Sequence, residues 1–326
     1  MNVLETALIL GATGGIGHEV ATALKRHGWQ INALHRDPAK AASRGNASEI
    51  HWVKGDAMNA AEVTNAAKGA SVIVHAVNPP GYRNWAQLVL PMVESSISAA
   101  RACGARIVLP GTIYNYGPDA FPTLREDSPQ NPLTRKGKIR VELERRLQAA
   151  ANTGVRSLIV RAGDFFGPTP GNNWFSQGLV EPGKPITSIL YPGRPGMGHA
   201  WAYLPDLAET VAQLVDREST LGTFERFHFQ GHWDTDGTQM TRAIRAVVGR
   251  PNTPVRRFPW PLVTLLSPFK TLFREMREMR YLWQEPLRLN NERLLNVLRS
   301  EPHTPLDQAV RATLRGLGCL QHLPDS

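Results

Sequence analysis

Leu8-Ile9-Leu10-Gly11-Ala12-Thr13-Gly14-Gly15-Ile16-Gly17 sets a short apolar run directly against a glycine-rich turn, near the start of a chain of 326 residues. Glycine serves where a backbone must turn sharply, where it must approach a phosphate, and where a helix must pack closely on a strand. Behind the turn, Ile16 to His27 is compatible with a helix closed by Gly28, and Gln30-Ile31-Asn32-Ala33-Leu34 supplies a second strand. Strand, glycine turn, helix and strand in this order predict a unit whose helix N-terminus offers free N–H groups to the phosphates of a dinucleotide. Gly11, Thr13, Gly14, Gly15, Ile16 and Gly17 are the expected phosphate contacts. The spacing is G-x-x-G-x-x-G rather than G-x-G-x-x-G, so the rest of the chain must support the reading.

About twenty residues beyond such a loop, an acid selects the ribose of NAD, or an arginine accommodates the 2′-phosphate of NADP. His35 and Arg36 stand there, with Asp37 next in line. A guanidinium is a planar, permanently charged partner for phosphate, so the sequence favours NADP over NAD.

Strands and helices continue to alternate. A third strand, Glu49 to Val53, leads to Gly55-Asp56-Ala57, where Asp56 and Ala57 are expected beside the adenine. A fourth, Ser71 to His75, runs into Ala76-Val77-Asn78-Pro79-Pro80-Gly81; Ala76 is assigned to the cofactor and Asn78 to the substrate. A fifth, Arg106 to Leu109, opens into Gly111-Thr112-Ile113-Tyr114-Asn115-Tyr116-Gly117, a cluster of hydroxyl and amide side chains without hydrophobic alternation. The fold expected is α/β, a doubly wound parallel sheet of Rossmann type with a smaller, mainly helical C-terminal substrate domain. Its dinucleotide domain spans residues 1–166 and is completed by about 199–230, leaving 167–198 and 231–326 for the substrate and a lid.

Composition excludes several other classes. At 42% hydrophobic and 20% charged residues the chain can bury a sizeable core and is not a disordered one. The formal charge of +9 is spread along the sequence and mixed with acids, which argues against a nucleic-acid partner. No apolar run reaches bilayer length, no signal-peptide pattern opens the chain, and Cys103 and Cys319 are too few for a disulfide framework; a cytoplasmic location is expected. Cys319 and His322 form an isolated pair, and neither H-E-x-x-H nor G-x-S-x-G occurs, so neither a metal site nor a triad hydrolase is expected.

With these segments assembled, the chain resembles the extended or atypical branch of the short-chain dehydrogenase/reductase superfamily, which holds nucleotide-sugar epimerases, dehydratases and related reductases. Gly11, Gly14 and Gly17 match its glycine loop, and Gly55-Asp56 its adenine-contacting pair. Thr112 precedes Tyr116-Gly117 by the spacing of the family's catalytic Ser or Thr. Arg161-Ala162-Gly163-Asp164-Phe165-Phe166-Gly167-Pro168 and His199-Ala200-Trp201-Ala202-Tyr203-Leu204-Pro205-Asp206 match two further segments, one opening the substrate domain and one returning to the core.

The resemblance implies a Tyr-x-x-x-Lys on the helix after the fifth strand, followed four residues later by Glu. Lys138 and Glu142 keep that register, but Thr134 stands in place of the tyrosine. In the resembling enzymes the lysine holds the nicotinamide ribose and lowers the tyrosine pKa, a task beyond a threonine hydroxyl. The resemblance therefore implies an NADP-preferring oxidoreductase or epimerase/dehydratase-like enzyme exchanging hydride with a carbonyl or hydroxyl group of a small-molecule substrate. Thr112 binds the substrate oxygen, Lys138 fixes the ribose, and Tyr114 is the leading substitute acid, ahead of Tyr116 as a substrate contact. The alternative is a non-catalytic NADP(H) sensor.

Asn172 and Arg194 are further substrate-binding candidates within the Gly- and Pro-rich residues 167–198. Between Phe269 and Trp283, apolar Leu272, Phe273, Met276 and Leu282 fall at helical spacing, with Lys270, Arg274 and Arg277 on another face. Such a helix packs on its own protein, covers a pocket, or lies on a membrane, in that order of expectation. As a lid it suits a substrate less polar than a nucleotide sugar.

Overall fold

A computed structural model describes residues 5–43, 50–79, 84–169, 171, 173–269 and 271–320. Glu49, Pro80, Gly81, Asn172, Lys270 and His322, singled out above, lie outside them. The chain opens with strand β1 (Thr6–Leu10), helix α1 (Gly15–Arg26), β2 (Gln30–His35), the short α2 (Pro38–Ala42), β3 (His51–Lys54), α3 (Ala60–Ala66) and β4 (Val72–His75). It continues through α4 (Trp85–Cys103), β5 (Arg106–Gly111) and α5 (Arg135–Ala151). Strands Ser157–Arg161 and Phe224–His228, with helix α6 (Leu204–Val215) between them, complete the sheet.

These seven strands form one parallel sheet, ordered Phe224–His228, Ser157–Arg161, β5, β4, β1, β2, β3. Parallel strands in a doubly wound sheet are covered on both faces, and side-chain alternation along β1 shows how. Ala7 and Ile9 enter a core with α1 and α6, through Val20, Leu24, Leu207 and Val211. Leu8 and Leu10 enter the opposite core with α3, α4 and α5, through Val63, Val93, Leu143 and Leu147. The order reverses between β1 and β4, which opens a crevice at the carboxyl ends of those two strands.

Two glycines of the loop are fixed by sterics. Gly11 adopts φ +93°, and a Cβ there would sit 2.6 Å from the Ala76 carbonyl oxygen at the exit of β4. At Gly17 a Cβ would sit 2.2 Å from the Gly11 oxygen, so α1 seats on the loop only without a side chain. Gly14 differs, since its Cβ would meet only that same oxygen at 3.4 Å.

Strand β5 extends to Gly111, two residues beyond the expected end. Pro110 and Gly111 remain in register with Val160 and Arg161, and Gly111 leaves room for Ile159, whose Cγ2 would lie 2.9 Å from a Cβ. A smaller C-terminal region packs on the carboxyl-end side of the sheet. Strands Asp164–Phe166, His199–Tyr203 and His232–Asp234 form a separate three-stranded sheet, and helices Gln239–Val247, Trp260–Leu266, Thr271–Glu278 and Leu306–Gly316 surround it. Their shared core is rich in aromatics, among them Phe166, Phe175, Tyr191, Trp201, Trp260 and Trp283. The amphipathic stretch expected from Phe269 to Trp283 is helical from Thr271 to Glu278 and tightens to a 3-10 turn over Met279–Trp283. Among the described residues no helix is long and apolar enough to cross a membrane.

Helices α1 and α6 are tied at one end by His27, whose Nδ1 lies 2.5 Å from Asp216 Oδ2 and whose Nε2 lies 3.0 Å from Glu209 Oε1. Burial pulls the imidazole pKa down, but hydrogen bonds and charge from the two carboxylates outweigh it and leave the value raised above 6.5. A raised histidine favours the folded state below its unfolded pKa and loses that contribution as pH rises through the folded value. Stability is therefore expected to fall as pH increases from about 6 to 8, and His27→Gln to flatten that slope in urea titrations at several pH values. The loop gives a second expectation. Gly11→Ala should cost more than about 2 kcal/mol in urea unfolding, because φ and contact are both violated. Gly14→Ala should leave stability within about 0.5 kcal/mol while weakening dinucleotide binding by fluorescence titration.

Candidate active site

The glycine loop presents what an anionic cofactor needs. Gly14 is the N-cap of α1, no side chain caps the helix, and its first turn holds no acid. The turn is closed by Gly14 N–H donating to the Gly11 oxygen at 3.0 Å, and Thr13 and Gly14 are exposed beside it. Gly15 and Ile16 are half-buried at the start of α1, and Ala76 faces Gly11 across the crevice. At the end of β2, His35 is half-buried and its Nδ1 accepts the Asp37 N–H at 3.0 Å. Arg36 is exposed, and the neighbouring Asp37 carboxylate caps α2 through the Lys40 N–H at 3.1 Å. Asp56 is half-buried and accepts from Met58 N–H at 2.9 Å, with Ala57 buried beside it.

Beyond the carboxyl ends of β5 and Ser157–Arg161 lies a pocket lined by Thr112, Tyr114, Lys136, Asp164, Trp174 and Met279, among others. Its Thr112 wall is held by a closed circuit of hydrogen bonds. Thr112 Oγ1 donates to Asn115 Oδ1 at 3.3 Å, Asn115 Nδ2 to Gln130 Oε1 at 3.1 Å, and Gln130 Nε2 to Glu144 Oε2 at 3.4 Å. Arg161 closes the circuit, donating to the same Glu144 oxygen at 2.7 Å and to the Thr112 carbonyl. Arg161 and Glu144 are both buried, at 1% and 4% exposure, so each neutralises a charge that neither could carry alone.

Helix α5 does not present the register expected of it. Thr134 is the N-cap, its Oγ1 accepting the Gly137 N–H at 3.0 Å; Lys138 is exposed, and Glu142 is spent on Arg145 and Arg146 at 2.7 and 2.8 Å. A two-residue step turns a helix by about 200°, which places the other register on the opposite face. That face carries Lys136, Arg140 and Glu144 at the same four-residue spacing. Lys136 lines the pocket at 4% exposure, the Arg140 guanidinium lies 5.0 Å from the Trp85 ring, and Glu144 holds Arg161. Lys138 does not line the pocket and is exposed on the other face of α5. Gly137 makes the approach possible, since a Cβ there would sit 2.2 Å from the Tyr114 oxygen. Sequence reading missed Lys136; this glycine and the 136/140/144 spacing were the available signals.

The remaining candidates separate. Thr112 and Tyr114 line the pocket, as does Asn173, the neighbour of Asn172. Tyr116 is fully buried, its hydroxyl 3.1 Å from His228 Nε2 and its ring 4.9 Å from the Arg161 guanidinium, so it is a core residue rather than a substrate contact. Asn78 is exposed outside the pocket lining, and Arg194 is exposed on a turn, also outside it.

The helix Thr271–Glu278 and the turn after it cover the pocket with Glu275, Met276 and Met279. Glu275 Oε2 lies 2.9 Å from Lys136 Nζ. Burial lowers the Lys136 pKa against the opposing pull of Glu275, while burial and the Glu275 charge raise that of Glu278. Tyr281 anchors the cover, its hydroxyl donating to the Tyr116 carbonyl at 3.1 Å. On the far wall Asp164 Oδ2 lies 2.8 Å from His199 Nε2, and the His199 ring stacks on Trp283 at 3.8 Å.

Comparison with known proteins agrees with this arrangement. The model of a family described as NAD(P)H-binding matches residues 11–174. A 3-diazoavenalumate denitrifying reductase from a Streptomyces species is 30% identical over 214 residues, 56% of this chain and 67% of that protein. Among solved structures, UDP-glucose 4-epimerase from Brucella ovis in complex with NAD superposes with a TM-score of 0.74 at 16% identity, covering 96% of this chain and 98% of that one. The corresponding enzyme from Bifidobacterium longum, with NAD and UDP, gives 0.72 at 12% identity, covering 96% and 97%. The nucleotide-bound structures among these similar folds hold NAD, which corrects the preference for NADP read from Arg36. Physically, an exposed guanidinium beside the Asp37 carboxylate is a poor selector for a phosphate dianion. The chain belongs to the NAD(P)H-binding family and shares its fold with the NAD-bound epimerase structures above.

Proposed function

We propose that the protein is an NAD-dependent reductase that delivers hydride to a compact, largely apolar acceptor in the pocket beneath the helix Thr271–Glu278. The carrying observation is the lining itself. Hydroxyls of Thr112 and Tyr114 face a space walled by Phe165, Trp174, Met276 and Met279, and the one lysine of that lining is already matched by Glu275. A nucleotide sugar brings a diphosphate, which asks for uncompensated cations; an aromatic or aliphatic acceptor asks for the walls found here. The Streptomyces relative is named a reductase, which favours net reduction over epimerisation.

Gly11 to Gly17 would hold the pyrophosphate on the N-terminus of α1, and Asp56 and Ala57 would border the adenine. NADH, when bound, supplies the hydride. Tyr114 would orient the acceptor atom by hydrogen bonding, on a loop that the Thr112–Asn115–Gln130–Glu144–Arg161 circuit holds in place, so that geometry is set before reaction rather than during it. The Met276 and Met279 side chains exclude water from the reacting centre.

Titration of the protein's fluorescence should show NADH binding more tightly than NADPH. NADH oxidation, followed by absorbance, should occur with aryl aldehydes or quinones and be undetectable with UDP-glucose. Tyr114→Phe should lower kcat/KM about tenfold, the loss of one hydrogen bond to the acceptor. Tight NADH binding with no turnover of any acceptor would instead mark a cofactor sensor, and interconversion of UDP-sugars without net NADH loss would mark an epimerase.

A further inference from the structure

We propose that Lys136 is the proton donor of this site, delivering a proton from its ammonium group to the acceptor atom while Glu275 of the covering helix holds and recharges it. The inference rests on the hydride-transfer reading above and moves to Lys136 the acid role that the sequence, lacking a tyrosine at Thr134, gave provisionally to Tyr114.

Three observations converge on Lys136. It projects from the inward face of α5 into the pocket that Thr112 and Tyr114 line, while Lys138, two residues on, is exposed. Long lysine side chains ordinarily carry their ammonium to water, so burial to 4% exposure is costly unless a partner or a task holds it. Its neighbour Gly137 lets the first turn of α5 pack directly on the Tyr114 backbone, which brings Nζ into the pocket.

The partner comes from a different element, the cover. Glu275 Oε2 lies 2.9 Å from Nζ at 13% side-chain exposure. One turn on, Glu278 is half-buried, its charge coupled to Lys136 and Glu275, and its Oε2 is buried with no hydrogen-bond partner. Asp164 also lines the pocket, and Arg135 and Arg274 flank Glu278. Lys136, Glu275 and Glu278 therefore form one cluster of interacting charges beneath the cover. Burial lowers the lysine pKa and brings it nearer to a value at which an ammonium is a useful acid.

For a carbonyl acceptor the balance is complete. The carbonyl carbon takes the hydride that NADH supplies, the C=O π pair moves to oxygen, and that oxygen takes a proton from Nζ as one N–H bond breaks and one O–H bond forms. The carbonyl is reduced to an alcohol and NADH is oxidised to NAD+. The neutral amine regains its proton from solvent by way of Glu275.

The test compares two hydride acceptors on the full-length protein. Benzaldehyde needs both hydride and proton; the N-methylacridinium cation needs hydride alone. Lys136→Met and Lys136→Arg should each slow benzaldehyde reduction at least about a hundredfold. Both should leave acridinium reduction and NADH affinity within about threefold. Arginine retains the charge facing Glu275 but does not release a proton, so it controls for folding and for the ion pair. In parallel, NMR of lysine-labelled protein should show Lys136 titrating below the ordinary lysine range, and Glu275→Gln should shift it further down. Equal loss with both acceptors, rescue by arginine, or titration of Lys136 in the ordinary lysine range would overturn the assignment. Failure of the unmodified protein to reduce either acceptor would overturn the reductase reading, and the NMR titration would still decide the state of Lys136.

Discussion

The buried pair of Arg161 and Glu144 is the constraint around which the site is organised. A guanidinium at 1% exposure and a carboxylate at 4% are each expensive to desolvate, and only their 2.7 Å contact makes both tolerable. Their geometry links the last residue of the strand Ser157–Arg161 to the middle of α5, and from there to everything that borders the pocket. Arg161 also donates to the Thr112 carbonyl and lies over the Tyr116 ring, so the loop after β5 is fixed from behind. Removing one partner of such a pair strands the other charge, at a cost of about 3–5 kcal/mol.

The cover is built on the same foundation. Tyr281 donates to the carbonyl of Tyr116, and Met279 and Leu282 pack with Ile113 and Leu124 in a small apolar cluster. The helix Thr271–Glu278 is therefore held at its C-terminal end by the loop it covers, with the Lys136–Glu275 ion pair reaching across the pocket. Asp164 and His199, backed by Trp283, form the opposite wall. The lining mixes apolar surface with the Thr112 and Tyr114 hydroxyls, the Asn173 and Gln177 amides and the charges of Lys136, Glu275 and Asp164.

Much of the fold was legible because its causes are local. The glycine loop could be read since Gly11 and Gly17 answer to backbone contacts within a few residues or across one strand pair. The strands could be read from apolar runs, which a sheet buried on both faces demands. Where a loop directly follows a strand, as at Thr112 and Tyr114, the residues singled out from the sequence line the pocket. On α5 the sequence pointed to Thr134 and Lys138, whereas the residue of that helix lining the pocket is Lys136, on a face that sequence alone does not fix. What decides it is the packing of Gly137 on Tyr114 and the burial of Glu144 against Arg161, both long-range contacts. Tyr116 and Arg194 failed for a related reason: a polar side chain in a loop reads alike whether it faces a pocket, the core or water. Cofactor choice from Arg36 weighed charge type without the exposure that screens it.

A crystal structure of the protein with NADH bound tests the account most directly. The pyrophosphate is expected on Gly11 to Gly17 and the nicotinamide at the mouth of the pocket, with its hydride-bearing carbon and Lys136 Nζ facing one shared space beside Thr112. A nicotinamide turned away from that space, or an Nζ directed out of the pocket toward solvent as Lys138 is, would contradict it.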